Sequence, residues 1–112
     1  MSKQKSDIPY GTLDLFILRT LDSMGPLHGY GIARRIEQAA GGRMRLSQGA
    51  IYPALIRLEQ QGWIATTWGV SETNRAVKIY ALTKVGVRQL RAEIASWEQS
   101  TALVARFLGA KA

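Results

Sequence analysis

The stretch Ser47-Gln48-Gly49-Ala50-Ile51-Tyr52-Pro53-Ala54-Leu55-Ile56-Arg57-Leu58-Glu59-Gln60-Gln61-Gly62 decides the fold. Ile51, Ala54, Leu55 and Leu58 recur at helical spacing and mark one buried face. Gln48, Tyr52, Arg57, Gln60 and Gln61 lie mostly off that face. Ser47 predicts an N-cap, because its hydroxyl is placed to accept an N–H of the first turn. Gly62 predicts the stop, because glycine takes the left-handed conformation that closes a helix. The rod between them is about fourteen residues, roughly 21 Å long. It has one side for a core and another for a partner, and the major groove of DNA, about 12 Å wide, admits one such helix. Pro53 removes a hydrogen bond to the carbonyl of Gly49. The apolar spacing runs through it without a change of phase, so a bent but continuous helix is expected. A turn at Tyr52-Pro53 would instead expose Ile51 or Leu55.

Upstream, Leu13, Phe16, Ile17, Leu21 and Met24 share a helical face, widened by Leu15 and Leu18. Thr12 is the expected cap, and Asp14 suits the positive end of the dipole. A stripe that wide predicts burial against a second chain as well as the core. Gly25-Pro26 ends this helix in a turn. A second helix follows, with Tyr30, Ala33, Ile36 and Ala40 inward and Arg34, Arg35, Glu37 and Gln38 outward, stopped by Gly41-Gly42. Arg43 to Leu46 alternates polar and apolar, which allows a short strand before Ser47. Met1 to Asp7 reads as a flexible lead.

Downstream of Gly62 the period changes to two. Trp63 to Trp68 and Val77 to Leu82 are rich in β-formers and flank a polar connector, Gly69 to Ala76. They predict a hairpin with a projecting loop. Thr83 opens a last helix in which Val87, Leu90, Ile94, Trp97, Thr101, Val104 and Leu108 repeat at spacings of three and four. Leu103 and Phe107 add apolar surface beside this seam, more than one small domain covers, so self-association through it is expected. From Gly109 the end is expected to fray. The predicted fold is mostly α with a small β-hairpin wing (α+β): a winged helix-turn-helix over residues 1–82 and a C-terminal dimerisation helix over residues 83–112.

Composition bounds the function. At 112 residues the chain suits one ordinary domain, and an oligomer interface would add to its limited core. It has no cysteine, which excludes disulfides and thiolate zinc sites. His28, the only histidine, cannot by itself build a multi-ligand metal site and reads as a turn or cap residue. No cofactor or metal is expected. No apolar run nears the roughly 20 residues of a membrane span, and no secretory signal opens the chain, so a cytoplasmic location is expected. The net charge of +7 favours polyanions. It is spread as +3 over residues 1–46, +1 over 47–82 and +3 over 83–112, so charge alone does not mark the site. Gly29-Tyr30-Gly31 lacks the third glycine and the preceding strand of a dinucleotide fingerprint. No nucleophile–base pair or phosphate loop argues for an enzyme.

The motifs also carry a resemblance. G-T-L-D at Gly11–Asp14, G-P-L-H-G-Y-G-I at Gly25–Ile32 and Y-P-A-L-I-R-L-E at Tyr52–Glu59 come in order. G-W-I at Gly62–Ile64, S-E-T-N-R at Ser71–Arg75 and Y-A-L-T at Tyr80–Thr83 follow. With these the chain resembles the PadR-like transcriptional regulators in their short form with one C-terminal helix. The resemblance implies a dimeric, DNA-binding repressor whose last helix pairs with the other subunit, helped by the first. It also implies that some relatives respond to small aromatic or phenolic effectors. The wing departs from the family pattern N-R-R-A-K-Y-Y-R-L-T: Ala76 and Ala81 stand in place of basic residues and Ile79 in place of an aromatic.

The expected DNA contacts are Ser47, Gln48, Tyr52 and Arg57 on the third helix and Asn74, Arg75 and Lys78 at the wing. Arg matches guanine and Gln matches adenine by two hydrogen bonds, and a tyrosine hydroxyl reaches phosphate. Arg57 has an ion pair as its alternative, and Tyr52 has packing against Pro53 or the second helix. The expected dimer seam is Val87, Leu90, Ile94, Trp97, Val104, Phe107 and Leu108. Trp97 is the ligand candidate: on a two-fold axis it would leave a flat slot for an aromatic compound, and otherwise it is a packing aromatic. Trp63 and Trp68 read as core and wing packing. The leading function is a homodimeric repressor of a pseudo-palindromic operator. The alternative keeps the fold but binds another protein through the hairpin and third helix.

Overall fold

The computed structural model describes residues 11–109; the N-terminal lead and the residues after Gly109 lie outside it. Helix α1 (Thr12–Met24) is followed by a short strand β1 (Leu27–His28), helices α2 (Gly29–Ala39) and α3 (Gln48–Gln60), strands β2 (Ile64–Val70) and β3 (Ala76–Leu82), and helix α4 (Lys84–Phe107). The three strands form one antiparallel sheet in the order β1-β3-β2. The core lies where α1, α2 and α3 meet the base of the sheet: Ile17, Leu18, Ile32, Ile51, Leu55, Leu58 and Ile64 are all but inaccessible.

The expected inward face of α3 is the one observed, since Ile51, Ala54, Leu55 and Leu58 are buried. The helix is continuous through Pro53. The carbonyl of Gly49 loses its usual partner there, in an exposed first turn where water can replace it. Gly62 adopts φ 79°, and the N–H of Trp63 reaches back to the carbonyl of Leu58 at 3.1 Å. That six-to-one bond is the closure expected of a C-terminal glycine. Ser47 takes the extended cap conformation, but its side chain makes no cap hydrogen bond; its carbonyl accepts from Ala50 and Ile51 instead.

Several expectations need correction. Thr12 lies inside α1, behind Gly11, and its hydroxyl is buried without a partner. Met24 and Tyr30 are exposed, and Ile32 takes the core position expected of Tyr30. Arg43 to Leu46 forms no strand. That link is held instead by the buried Met44 and by the Glu37 carboxylate, which accepts the N–H of Leu46 at 2.7 Å. Strand β1 was not expected, because two residues carry no periodicity; Leu27 pairs with Tyr80 and His28 with Ile79. The hairpin strands run farther than expected and leave a loop of only Ser71 to Arg75.

Helix α4 begins as expected, with Thr83 accepting from the N–H of Gly86 at 2.9 Å. Its first turns pack on α1. Leu90 is 2% exposed and Ile94 packs against the core, so the near part of the seam is consumed within the chain. Beyond it Leu103, Val104, Phe107 and Leu108 stand open, Phe107 at 83%. The polar Thr101 is satisfied inside its own helix, donating to the carbonyl of Trp97 at 2.7 Å.

Candidate nucleic-acid interface

An open groove of about 1150 Å³ runs between the start of α3, the start of α2 and the inner face of the wing. Gln48 and Tyr52, one helical turn apart, form its α3 wall. Arg75 and Lys78 line the opposite wall, on the hairpin. These four expected contact residues come together from segments 23 or more positions apart in the chain.

The Tyr52 ring is seated on α2. A Cβ added at Gly29 would lie 3.0 Å from its Cε1 and 3.1 Å from its hydroxyl oxygen. Glycine at that position lets the ring approach the α2 backbone, and the residue remains 37% exposed toward the groove. Tyr52 therefore packs on the second helix and lines the groove at once. His28 caps α2, its Nδ1 accepting the N–H of Gly31 at 2.9 Å, which fits the cap role expected for it.

Lys78 is 4.0 Å from the Glu59 carboxylate, whose other oxygen accepts from the Thr66 hydroxyl at 3.0 Å. The pair is well exposed, so its worth is small and Lys78 stays available to a stronger anion. Asn74 holds the loop apex with φ 64°, a left-handed conformation that asparagine tolerates, and does not line the groove. The Ser71 hydroxyl accepts the N–H of Arg75 at 3.2 Å, and the Ser71 N–H donates to the Arg75 carbonyl at 2.8 Å, which closes the loop.

Two of the expected contacts stand apart. Arg57 turns to α1 and donates to Asp14 at 2.7 Å, the ion-pair alternative rather than the groove. Ser47 sits exposed just outside the groove wall. Other residues join the groove that were not expected there. Arg34 donates to the Tyr30 hydroxyl at 2.8 Å, with its guanidinium carbon 5.6 Å from that ring's centroid. That hydrogen bond favours the charged guanidinium and raises its pKa further. The signal in the sequence is an arginine one helical turn after a tyrosine, a pair whose apolar spacing alone assigns one to the polar face and the other to the core. Trp68, expected to pack, is 71% exposed on the groove side of β2. Tyr80 forms the floor, and burial raises the pKa of its phenol, with Tyr52 and Glu59 adding to the effect. It stays neutral and contributes no charge.

The model of the transcriptional regulator PadR-like family matches residues 17–92, from the middle of α1 to the first turns of α4. The chain belongs to the PadR-like family. Its members are transcriptional regulators, not enzymes. A transcriptional regulator from Clostridium thermocellum superposes with a TM-score of 0.78 at 27% identity, over 87% of this chain and 93% of its own. A PadR family regulator from Eggerthella lenta DSM 2243 gives 0.76 at 28% identity, over 88% and 82%. A PadR-like regulator from Bacillus cereus strain ATCC 14579 gives 0.75 at 26% identity, over 90% and 95%. None of the curated proteins matches.

The PadR-like match takes in both walls of the groove and the start of α4, but not the exposed end of α4. Among the described residues no helix is long and apolar enough to cross a membrane, and no cluster of three potential metal ligands occurs.

Proposed function

We propose that this PadR-like regulator is a homodimeric repressor of a pseudo-palindromic operator, with α3 in the major groove and the wing on the adjacent backbone. The observation that carries the reading is the shared groove. Gln48 and Tyr52 face Arg75 and Lys78 across it, with Arg34 at its side. A DNA strand lying in the groove would meet cations on the wing wall and, through Arg34, at the α2 side, while Gln48, in the first turn of α3, reaches base edges. Ser47 and Asn74 flank this surface as outer contacts. Arg57, held by Asp14, supports the placing of α3 against α1 instead.

The unpartnered end of α4 supports the dimer. Val104, Phe107 and Leu108, with Leu103, form an apolar stretch that no other described residue of the chain covers, and a second copy related by a two-fold axis would cover it. The seam then starts near Trp97, with Val87, Leu90 and Ile94 bracing it from inside the chain. Two recognition helices would address half-sites roughly 34 Å apart. Trp97, 37% exposed where α4 leaves the core, is the place proposed for a small aromatic effector. In this reading residues 1–82 bind DNA and residues 83–112 dimerise.

Footprinting on the DNA upstream of its own coding sequence, combined with sedimentation equilibrium, tests the proposal. The expected result is a protected palindrome bound by a dimer. A monomer at micromolar concentration, or no protected palindrome, overturns it. An effector is tested by adding planar aromatics: coupling requires Trp97 quenching together with weaker operator binding.

A further inference from the structure

The groove-facing side of the hairpin is not built like a cationic clamp. The strand register places Thr66 opposite Tyr80, Trp68 opposite Lys78 and Val70 opposite Ala76. At the base, Thr66 and Tyr80 are tied to α3 or buried. Toward the tip the same face emerges from the core and carries Trp68 at 71% and Val70 at 70% exposure. Such a large apolar side chain, left mostly in water on the ribbon, buries little surface within the fold. It stands next to Lys78 and across the groove from Tyr52. Among the described residues the only acidic one lining the groove is Glu72, against Arg34, Arg75 and Lys78. The occupant that matches this combination is anionic and has an apolar surface between its charges, as the sugar-phosphate chain of DNA does.

Resting on the DNA-binding reading, we infer that Trp68, with Val70 beside it, is a direct DNA contact. Its indole packs on the deoxyribose wall of the strand that lies between α3 and the wing, at the minor-groove edge. Apolar wedges at that edge are an established way for proteins to hold DNA. The wing then grips by apolar contact in addition to charge. This also accounts for alanine at position 76, on the groove face of the hairpin. Ala76, opposite Val70, leaves the strand room to approach the ribbon, whereas a long cation would stand between them.

The two kinds of grip differ in salt dependence. Each phosphate-bound cation contributes about 0.9 to the slope of log affinity against log salt, and an apolar contact contributes nothing. The test uses the full chain and a duplex spanning the footprint upstream of its own coding sequence. Binding is titrated at several salt concentrations for wild type, Trp68→Ala, Trp68→Phe and Arg75→Ala. Trp68→Ala is expected to bind about tenfold more weakly for each wing engaged, from the burial of one large side chain, with an unchanged slope. Trp68→Phe should recover much of the loss, and Arg75→Ala should lower the slope. Wild-type tryptophan emission should change on saturation with duplex, and that change should be missing in Trp68→Phe.

Wild-type affinity in Trp68→Ala overturns the inference and leaves the proposed function standing. A Trp68 emission change that follows protein concentration without DNA also overturns it, since a second copy would then cover the indole. Failure of the wild type to bind the duplex overturns both readings. Because Trp68 is 71% exposed, circular dichroism is expected to give the two Trp68 variants melting curves close to wild type, so that lost binding is not lost folding.

Discussion

Gly86→Ala tests how α4 is fixed to the rest of the chain. By helix propensity alone, alanine in the first turn should stabilise by up to about 1 kcal/mol. The structure predicts the reverse. A Cβ at Gly86 would lie 2.9 Å from the carbonyl carbon of Trp63, closer still to its oxygen, and 2.9 Å from Leu82 Cδ1. Ordinary carbon contacts are about 3.5–4.0 Å, so the backbones must part by more than half an ångström. They are joined there by several bonds. The Thr83 hydroxyl donates to the carbonyls of Gly62 at 2.7 Å and Trp63 at 3.1 Å, and the Thr83 N–H donates to Trp63 at 3.1 Å. Overpacking costs about 1–3 kcal/mol and a disrupted cap about 1 kcal/mol more. After the propensity gain the net loss is about 1–3 kcal/mol. A domain of this size should then melt roughly 5–20 °C lower. The assay is thermal circular dichroism at one fixed protein concentration, because dimerisation makes the midpoint concentration-dependent. Since α4 leaves the domain at this point, the tilt of the dimer helix changes as well, and affinity for a two-site operator should fall more than affinity for a half-site. A melting temperature equal to or above wild type would refute the reasoning.

Gly29→Ala should push the Tyr52 ring out of its seat, lowering operator affinity by about tenfold, the worth of one charge-assisted hydrogen bond, with little change in melting temperature; unchanged binding in a mobility-shift titration would place the hydroxyl off the DNA. Leu103→Glu combined with Phe107→Glu should leave the fold intact, since both side chains are exposed, but give a monomer in sedimentation equilibrium; a stable dimer would move the interface elsewhere. Arg57→Ala should cost under about 1 kcal/mol in a urea melt, because the pair with Asp14 is partly solvated. It should also leave the salt slope of binding unchanged, and a slope reduced by about 0.9 would return Arg57 to the DNA contacts.

Element type and order were legible in the chain because they depend on local patterns: the i, i+3, i+4 spacing of α3, the alternation around the hairpin, and glycine or threonine at the ends. The stop at Gly62 and the caps at His28 and Thr83 are properties of single residues and came out as expected. Ser47 and Thr12 did not cap with their side chains, because a hydroxyl that suits a cap still needs the right rotamer and start point.

Other features depend on what meets what. A helical face spans several residues, and its edges are assigned only by the neighbouring element. Tyr30 therefore went outward to Arg34, and Ile32 inward. Leu90 and Phe107 lie along one apolar surface of α4, yet the first is buried where α4 packs on α1 and the second is left open by the described residues. Trp68 is a strong β-former, and only its place toward the tip of the ribbon, past the buried Ile64 and Tyr80, decides that it meets the groove and not the core. The sequence by itself determined the winged helix-turn-helix and the long last helix, because short-range periodicity and caps act within one turn or one strand pair. The tertiary structure alone decided that Gln48, Tyr52, Arg34, Trp68 and Lys78 share one groove while Arg57 leaves it, because that grouping depends on how helices and ribbon pack across long separations in the chain.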